Sequence, residues 1–92
     1  MPAVFIWGAG LHTSMLLERC PALSRVAILA VMDRDRQKAG QRVGPHRVST
    51  DVAQVLASNA PVVISSQVSE PAIVRALTQQ GVAPERLVTL YD

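Results

Sequence analysis

The chain has 92 residues, 49% of them hydrophobic and 3% aromatic, with a formal net charge of +2. That is one domain's worth of sequence, too apolar for disorder and too weakly charged to imply a nucleic-acid partner by charge alone. With so few aromatics the core must be built from Val, Leu, Ile and Ala, and short runs of such residues favour strands buried on both faces.

Residues 3–7, AVFIW, show no polar alternation and read as a buried strand. Gly8 and Gly10 break it. A helical pattern starts at Leu11, where Leu11, Met15 and Leu16 share an apolar face and Glu18 and Arg19 are polar. Pro21 ends that helix, since the residue before a proline is pushed out of the α region. A second apolar strand, RVAILAVM, covers 25–32 and stops at Asp33.

The segment 33–47 is polar and broken by Gly40, Gly44 and Pro45, so it reads as a loop with room for one helical turn. It holds five of the nine basic residues: Arg34, Arg36, Lys38, Arg42 and Arg47. No aromatics interleave with them, which leaves base stacking unsupported. The stretch therefore reads as a solvated loop first and an anion-facing surface second, and no nucleic-acid partner is expected.

Residues 47–49 suit a short edge strand. Thr50 or Asp51 can cap a helix to about residue 58, with Val52, Val55 and Leu56 inward. The run VVISS, 62–66, is another buried strand, followed by Gln67. Ser69 suits an N-cap, and the next helix turns Ile73, Ala76 and Leu77 inward before Gly81 stops it. RLVTLY, 86–91, is the last strand. Alternating buried strands and amphipathic helices predict a single α/β domain over 1–92. Its sheet would be small, parallel and doubly wound, with helices on both faces and strands ordered 3-2-1-4-5 in chain numbering.

The chemistry centres on Gly8-Ala9-Gly10-Leu11-His12-Thr13, between a strand and a helix. A dinucleotide turn of the form G-x-G-x-x-G needs its first glycine for the tight bend and its second so that backbone can approach a pyrophosphate. Both are present. Thr13 fills the third place, which implies a wider helix approach or a different ligand pose. Amides at a helix N-terminus favour an anion regardless of that third residue.

Asp33 falls about 20–25 residues further on, where such a turn expects an acid for ribose hydroxyls. Arg34 and Arg36 beside it would instead attract a 2′-phosphate, and an unphosphorylated ribose is the favoured reading. Ser65, Ser66 and Gln67 end a strand whose loop flanks the same crevice, so they are candidates for base, sugar or phosphate contacts. His12, in the first helical turn, could meet a phosphate or a sugar hydroxyl. Tight turns and capping alone would account for the same residues.

Other chemistries find little support. There is no G-x-S-x-G elbow, no P-loop, no metal-ligand spacing and no acid–base pair. Cys20 is the only cysteine, which excludes an internal disulfide and fits a reduced, cytoplasmic setting. The apolar runs are too short to span a membrane, and the N-terminus lacks the pattern of a signal peptide.

Taken together, the stretches IWGAGLHTSMLLE, VMDRDRQKAGQRVG, VVISSQVSEPAIVRALTQQGV and RLVTLYD resemble small Rossmann-like modules of bacterial glycan and sugar-nucleotide pathways. Two relatives are the N-terminal domain of sugar acyltransferases and the C-terminal domain of sugar C-methyltransferases. The resemblance points at Gly8, Gly10, His12, Asp33, Ser65 and Ser66. It implies a module that binds NAD or a nucleotide-sugar and leaves catalysis to another domain or chain, with a catalytic partner chain or a second copy in a homodimer as the expected protein partner. The rival expectation is an assembly domain that has kept the fold and lost the ligand.

Overall fold

The computed structural model describes residues 2–66 and 69–90, with the side chain of Ser24 left aside. Its elements are β1 (Ala3–Trp7), α1 (Leu11–Arg19), β2 (Ala27–Met32), β3 (Arg42–Val43), β4 (His46–Ser49), α2 (Ala53–Leu56), β5 (Val62–Ile64), α3 (Glu70–Gln79) and β6 (Leu87–Thr89). Short 3-10 turns at Pro21–Arg25, Arg36–Lys38 and Pro84–Arg86 link them. Tyr91, expected in the last strand, and Gln67 lie outside the described residues.

One six-stranded sheet runs β3-β4-β2-β1-β5-β6. The pairs β4–β2, β2–β1, β1–β5 and β5–β6 are parallel. These five strands stand in the order that the sequence predicts. The addition is β3, a two-residue antiparallel partner of β4 that pairs Arg42 with Arg47 and Val43 with His46. Two residues carry no periodicity, so nothing in the 33–47 segment announces it. Val43 is nevertheless buried, and it closes the apolar layer at that edge.

The sheet's two faces bury separate clusters, because alternate residues of a strand point to opposite sides. Phe5, Trp7, Met32, Val62 and Ile64 meet Val55 of α2 and Leu77 of α3 on one face. Ile6, Val31, Val43 and Val48 lie on the other, packed by Ala9 and by Leu17 of α1. Helices on both faces make the sheet doubly wound. Between β1 and β2 the register shifts after Val4, so that Leu29 has no partner on β1 and is 49% exposed. A bulge of this kind sends one apolar side chain outward without disturbing the rest of the strand.

Two helix faces differ from expectation. Leu11 is 78% exposed and Met15 is exposed as well, while Thr13 is fully buried and Leu17 packs inward. The helix is rotated because the Thr13 hydroxyl is anchored beneath it. In α2, Val55 is buried and Val52 partly so, but Leu56 is exposed. That helix is a single turn of four residues, and Val55 is the residue of it that is buried.

Candidate functional site

The C-terminal ends of β1, β2 and β5 meet at the glycine turn. Gly8 makes the bend with φ +121°, and its amide donates to Met32 O at 2.7 Å. A Cβ there would stand 2.6 Å from Ser65 O, so no other residue fits. Gly10 is different: its φ is −102° and a Cβ would meet nothing within 4 Å. The fold does not require glycine at position 10, whereas a ligand approaching the backbone would.

Gly10 is the N-cap of α1 and no side chain caps it. The first amides of a helix have no intrahelical acceptor. The Gly10 and Leu11 amides have none among the described residues either. The Ala9 amide is occupied, donating to Asp33 Oδ2 at 2.9 Å.

Asp33 thus ties the end of β2 to the turn. Its other oxygen, Oδ1, accepts from the Asp35 amide at 2.9 Å, and Lys38 Nζ lies 3.7 Å from Oδ2. Burial by itself would raise the Asp33 pKa. The Asp35 and Ala9 amides and the Lys38 ammonium outweigh it, and the net effect holds the carboxyl below its ordinary value. Asp33 is therefore ionised at neutral pH and already oriented.

On the far side of the turn, Ser65 is 3% exposed. Its hydroxyl lies 2.7 Å from His12 Nδ1 and 2.7 Å from Thr13 Oγ1. Thr13 Oγ1 also hydrogen-bonds Gly8 O. The departure at the third glycine position is thus a buried link between helix, turn and β5, and Thr13 is the residue that motif reading undervalued. Ser66 takes a capping role, its hydroxyl accepting from the Ser69 amide at 3.2 Å. Ser69 itself, expected as a side-chain cap, makes no such bond.

Around the turn opens a pocket of about 510 Å³, within the usual range for small-molecule sites. Gly8, Ala9, Gly10, Leu11 and His12 form its floor. Asp33 and Arg34 line one side, with Lys38, which motif spacing did not single out. Ser65 and Ser66 line the other, continuing onto α3 through Ala72, Ile73 and Ala76. Ala72 and Ala76, one helical turn apart on α3, present small side chains to the cavity. The glycine turn from Gly8 to His12, Asp33, Arg34, Ser65 and Ser66 thus all line this one pocket, whereas Arg36 does not.

No family model and no curated protein matches the chain. Among solved structures it is similar to "RSP in complex with beta-NAD+ and operator DNA", with a TM-score of 0.64 and 12% identity. The match covers 100% of this chain and 51% of that one, so the chain spans about half the length of its structural neighbour.

The fold is Rossmann-like. At so low an identity the likeness speaks for the fold and not for sugar acyltransferases or C-methyltransferases. It also corrects one expectation. Nucleic acid was set aside as a partner, yet the neighbouring structure holds operator DNA as well as β-NAD+. The physical reason is that duplex DNA is held largely through its phosphates by Lys and Arg, and needs no aromatic stacking. Lack of aromatics among the basic residues bears only on stacked single strands. Among the described residues, no helix is long and apolar enough to cross a membrane.

Proposed function

We propose that the pocket binds a dinucleotide of the NAD class, and that the chain is a ligand-binding module that leaves chemistry to another domain or chain. The observation that carries this is Gly10: a glycine the fold does not need, at the bare N-terminus of α1, facing the pocket. The Gly10 and Leu11 amides would hold the pyrophosphate. Asp33, ionised and oriented, would accept from a ribose hydroxyl and repel a 2′-phosphate. A nucleotide-sugar offers the same pyrophosphate and one ribose, and is the alternative ligand within this reading. The chain as one domain, serving sugar-nucleotide metabolism in the cytoplasm, belongs to that alternative.

Titration with NAD+, NADP+ and a UDP-sugar, followed by thermal unfolding, tests the proposal. NAD+ should raise the midpoint most. A rise with the UDP-sugar alone would move the reading to nucleotide-sugars, and no rise with any of them would remove it in favour of an assembly role.

A second reading rests on the β3–β4 edge. Arg42 and Arg47 stand directly opposite each other and both are exposed, an arrangement that like charges disfavour unless an anion lies between them. With Arg34 and Arg36 also exposed, this edge suits a phosphate backbone. Duplex DNA binding should then weaken steeply with salt, and Arg42→Ala should lower the slope of log K against log salt by about 1. Salt-independent binding, or none, would end this reading.

A further inference from the structure

Backbone hydrogen bonds fix where Lys38 stands. Its amide donates to Asp35 O at 2.9 Å, and its carbonyl accepts from the Gln41 amide at 3.0 Å. The Asp35 carboxylate caps the same short turn, accepting from the Gln37 amide at 3.0 Å. Just beyond, Gly40 donates to Val48 O of β4 at 2.9 Å. Asp33 is tied to β4 as well, its amide donating to Ser49 O at 3.1 Å. Both members of the Asp33–Lys38 ion pair therefore stand on backbone that the sheet holds in place, and both line the pocket.

The ion pair is open. Lys38 Nζ lies 3.7 Å from Asp33 Oδ2, beyond the roughly 2.7–2.9 Å of a charge-assisted hydrogen bond. Attraction holds the two groups side by side, and the ammonium protons can still turn to another acceptor. Each Asp33 oxygen accepts from one amide, Oδ2 from Ala9 and Oδ1 from Asp35. A carboxylate has about four acceptor sites, so each oxygen keeps one. The Lys38 side chain is 35% exposed and that of Asp33 15%, so a ligand can reach both. A phosphate would suit the ammonium and meet repulsion from the carboxylate. Two hydroxyls on neighbouring carbons suit both groups, because each offers one proton and two lone pairs.

We propose that Lys38 is a specificity-determining residue that, together with Asp33, reads both hydroxyls of a ribose: Asp33 accepts from one and Lys38 donates to the other. The pyrophosphate is left to the Gly10 and Leu11 amides. A 2′-phosphate would take away a hydroxyl proton that Asp33 accepts. This inference deepens the dinucleotide reading and rests on it.

The test compares NAD+ with an analogue lacking both hydroxyls of the adenosine ribose, by calorimetric titration of the native protein and of Lys38→Met. The variant keeps a long unbranched stem and removes the cation, while the Ala9 and Asp35 amides still hold Asp33. The native protein should bind the analogue about a hundredfold more weakly than NAD+, and Lys38→Met should reduce that ratio to about tenfold, through weaker binding of NAD+ alone. Equal weakening of both ligands would put Lys38 at the pyrophosphate or in a structural role, and overturns the proposal while dinucleotide binding stands. Unchanged NAD+ affinity in Lys38→Met, or native protein that does not distinguish the two ligands, overturns it too. Native protein that binds no NAD+ overturns the dinucleotide reading and the diol role together.

Discussion

Gly8 and Gly10 look alike in sequence and are opposite in physics. Gly8 combines a positive φ with a contact that would place a Cβ 2.6 Å from Ser65 O. Gly8→Ala should therefore cost roughly 2–3 kcal/mol or more. Gly10→Ala should change stability by no more than about 0.5 kcal/mol, having neither strain nor a neighbour. It should still weaken NAD+ binding, by crowding the pyrophosphate. Urea midpoints and a binding titration on the two variants check the pair, and equal behaviour in both would contradict it.

Asp33 makes a prediction in pH. A carboxylate held below its ordinary value stabilises the fold fully above the unfolded value, about 3.9, and loses that contribution as pH falls through the folded value. Native protein should exceed Asp33→Asn in stability at pH 6–7, and the gap should close below about pH 4. Denaturant midpoints across pH measure it. A gap that widens on acidification would show that the Ala9, Asp35 and Lys38 contacts do not favour the charged form.

At the scale of elements, the instructive case is the rotation of α1. Apolar spacing alone turns Leu11 and Met15 inward, but burying the Thr13 hydroxyl satisfies Gly8 O and Ser65, and that fixes which side of the helix faces the sheet. Thr13→Val removes the donor and leaves buried polar atoms behind, at about 1–3 kcal/mol. Leu11→Gln, at a position 78% exposed, should be nearly neutral. Comparing thermal midpoints of the two variants decides between the polar anchor and the apolar stripe.

The same contrast explains what sequence could reveal. Unbroken apolar runs and glycine breaks mark β1, β2 and β5 and hence the parallel order, because burial on both faces leaves no polar alternation. Asp33 and the glycine turn follow from strand ends. The Thr13–Ser65 bond, spanning 52 positions, and the two-residue β3 follow from tertiary contact and leave no local period. Lys38 escaped for a related reason: it reaches Asp33 only because a 3-10 turn at Arg36–Lys38 folds it back.

For the whole molecule, small size makes ligand binding unusually visible. Two thin apolar clusters divided by one sheet give a 92-residue chain a narrow stability margin. Its unfolding entropy is correspondingly small, so each kcal/mol moves the midpoint by about 4–8 °C. A ligand at 100 times its dissociation constant adds about 2.7 kcal/mol, which corresponds to a rise of roughly 10–20 °C. The dependence on concentration is the sharper test. Native-state binding adds about 1.4 kcal/mol per tenfold excess without levelling off, so the midpoint should keep climbing by roughly 6–11 °C per decade of NAD+. NADP+ should follow the same slope from a lower starting point, because the ionised Asp33 penalises its 2′-phosphate without altering the linkage. Scanning fluorimetry over three decades of each nucleotide measures both curves. A plateau at low concentration would mean that the unfolded chain binds as well, and identical curves for the two nucleotides would remove Asp33 from the ribose end of the site.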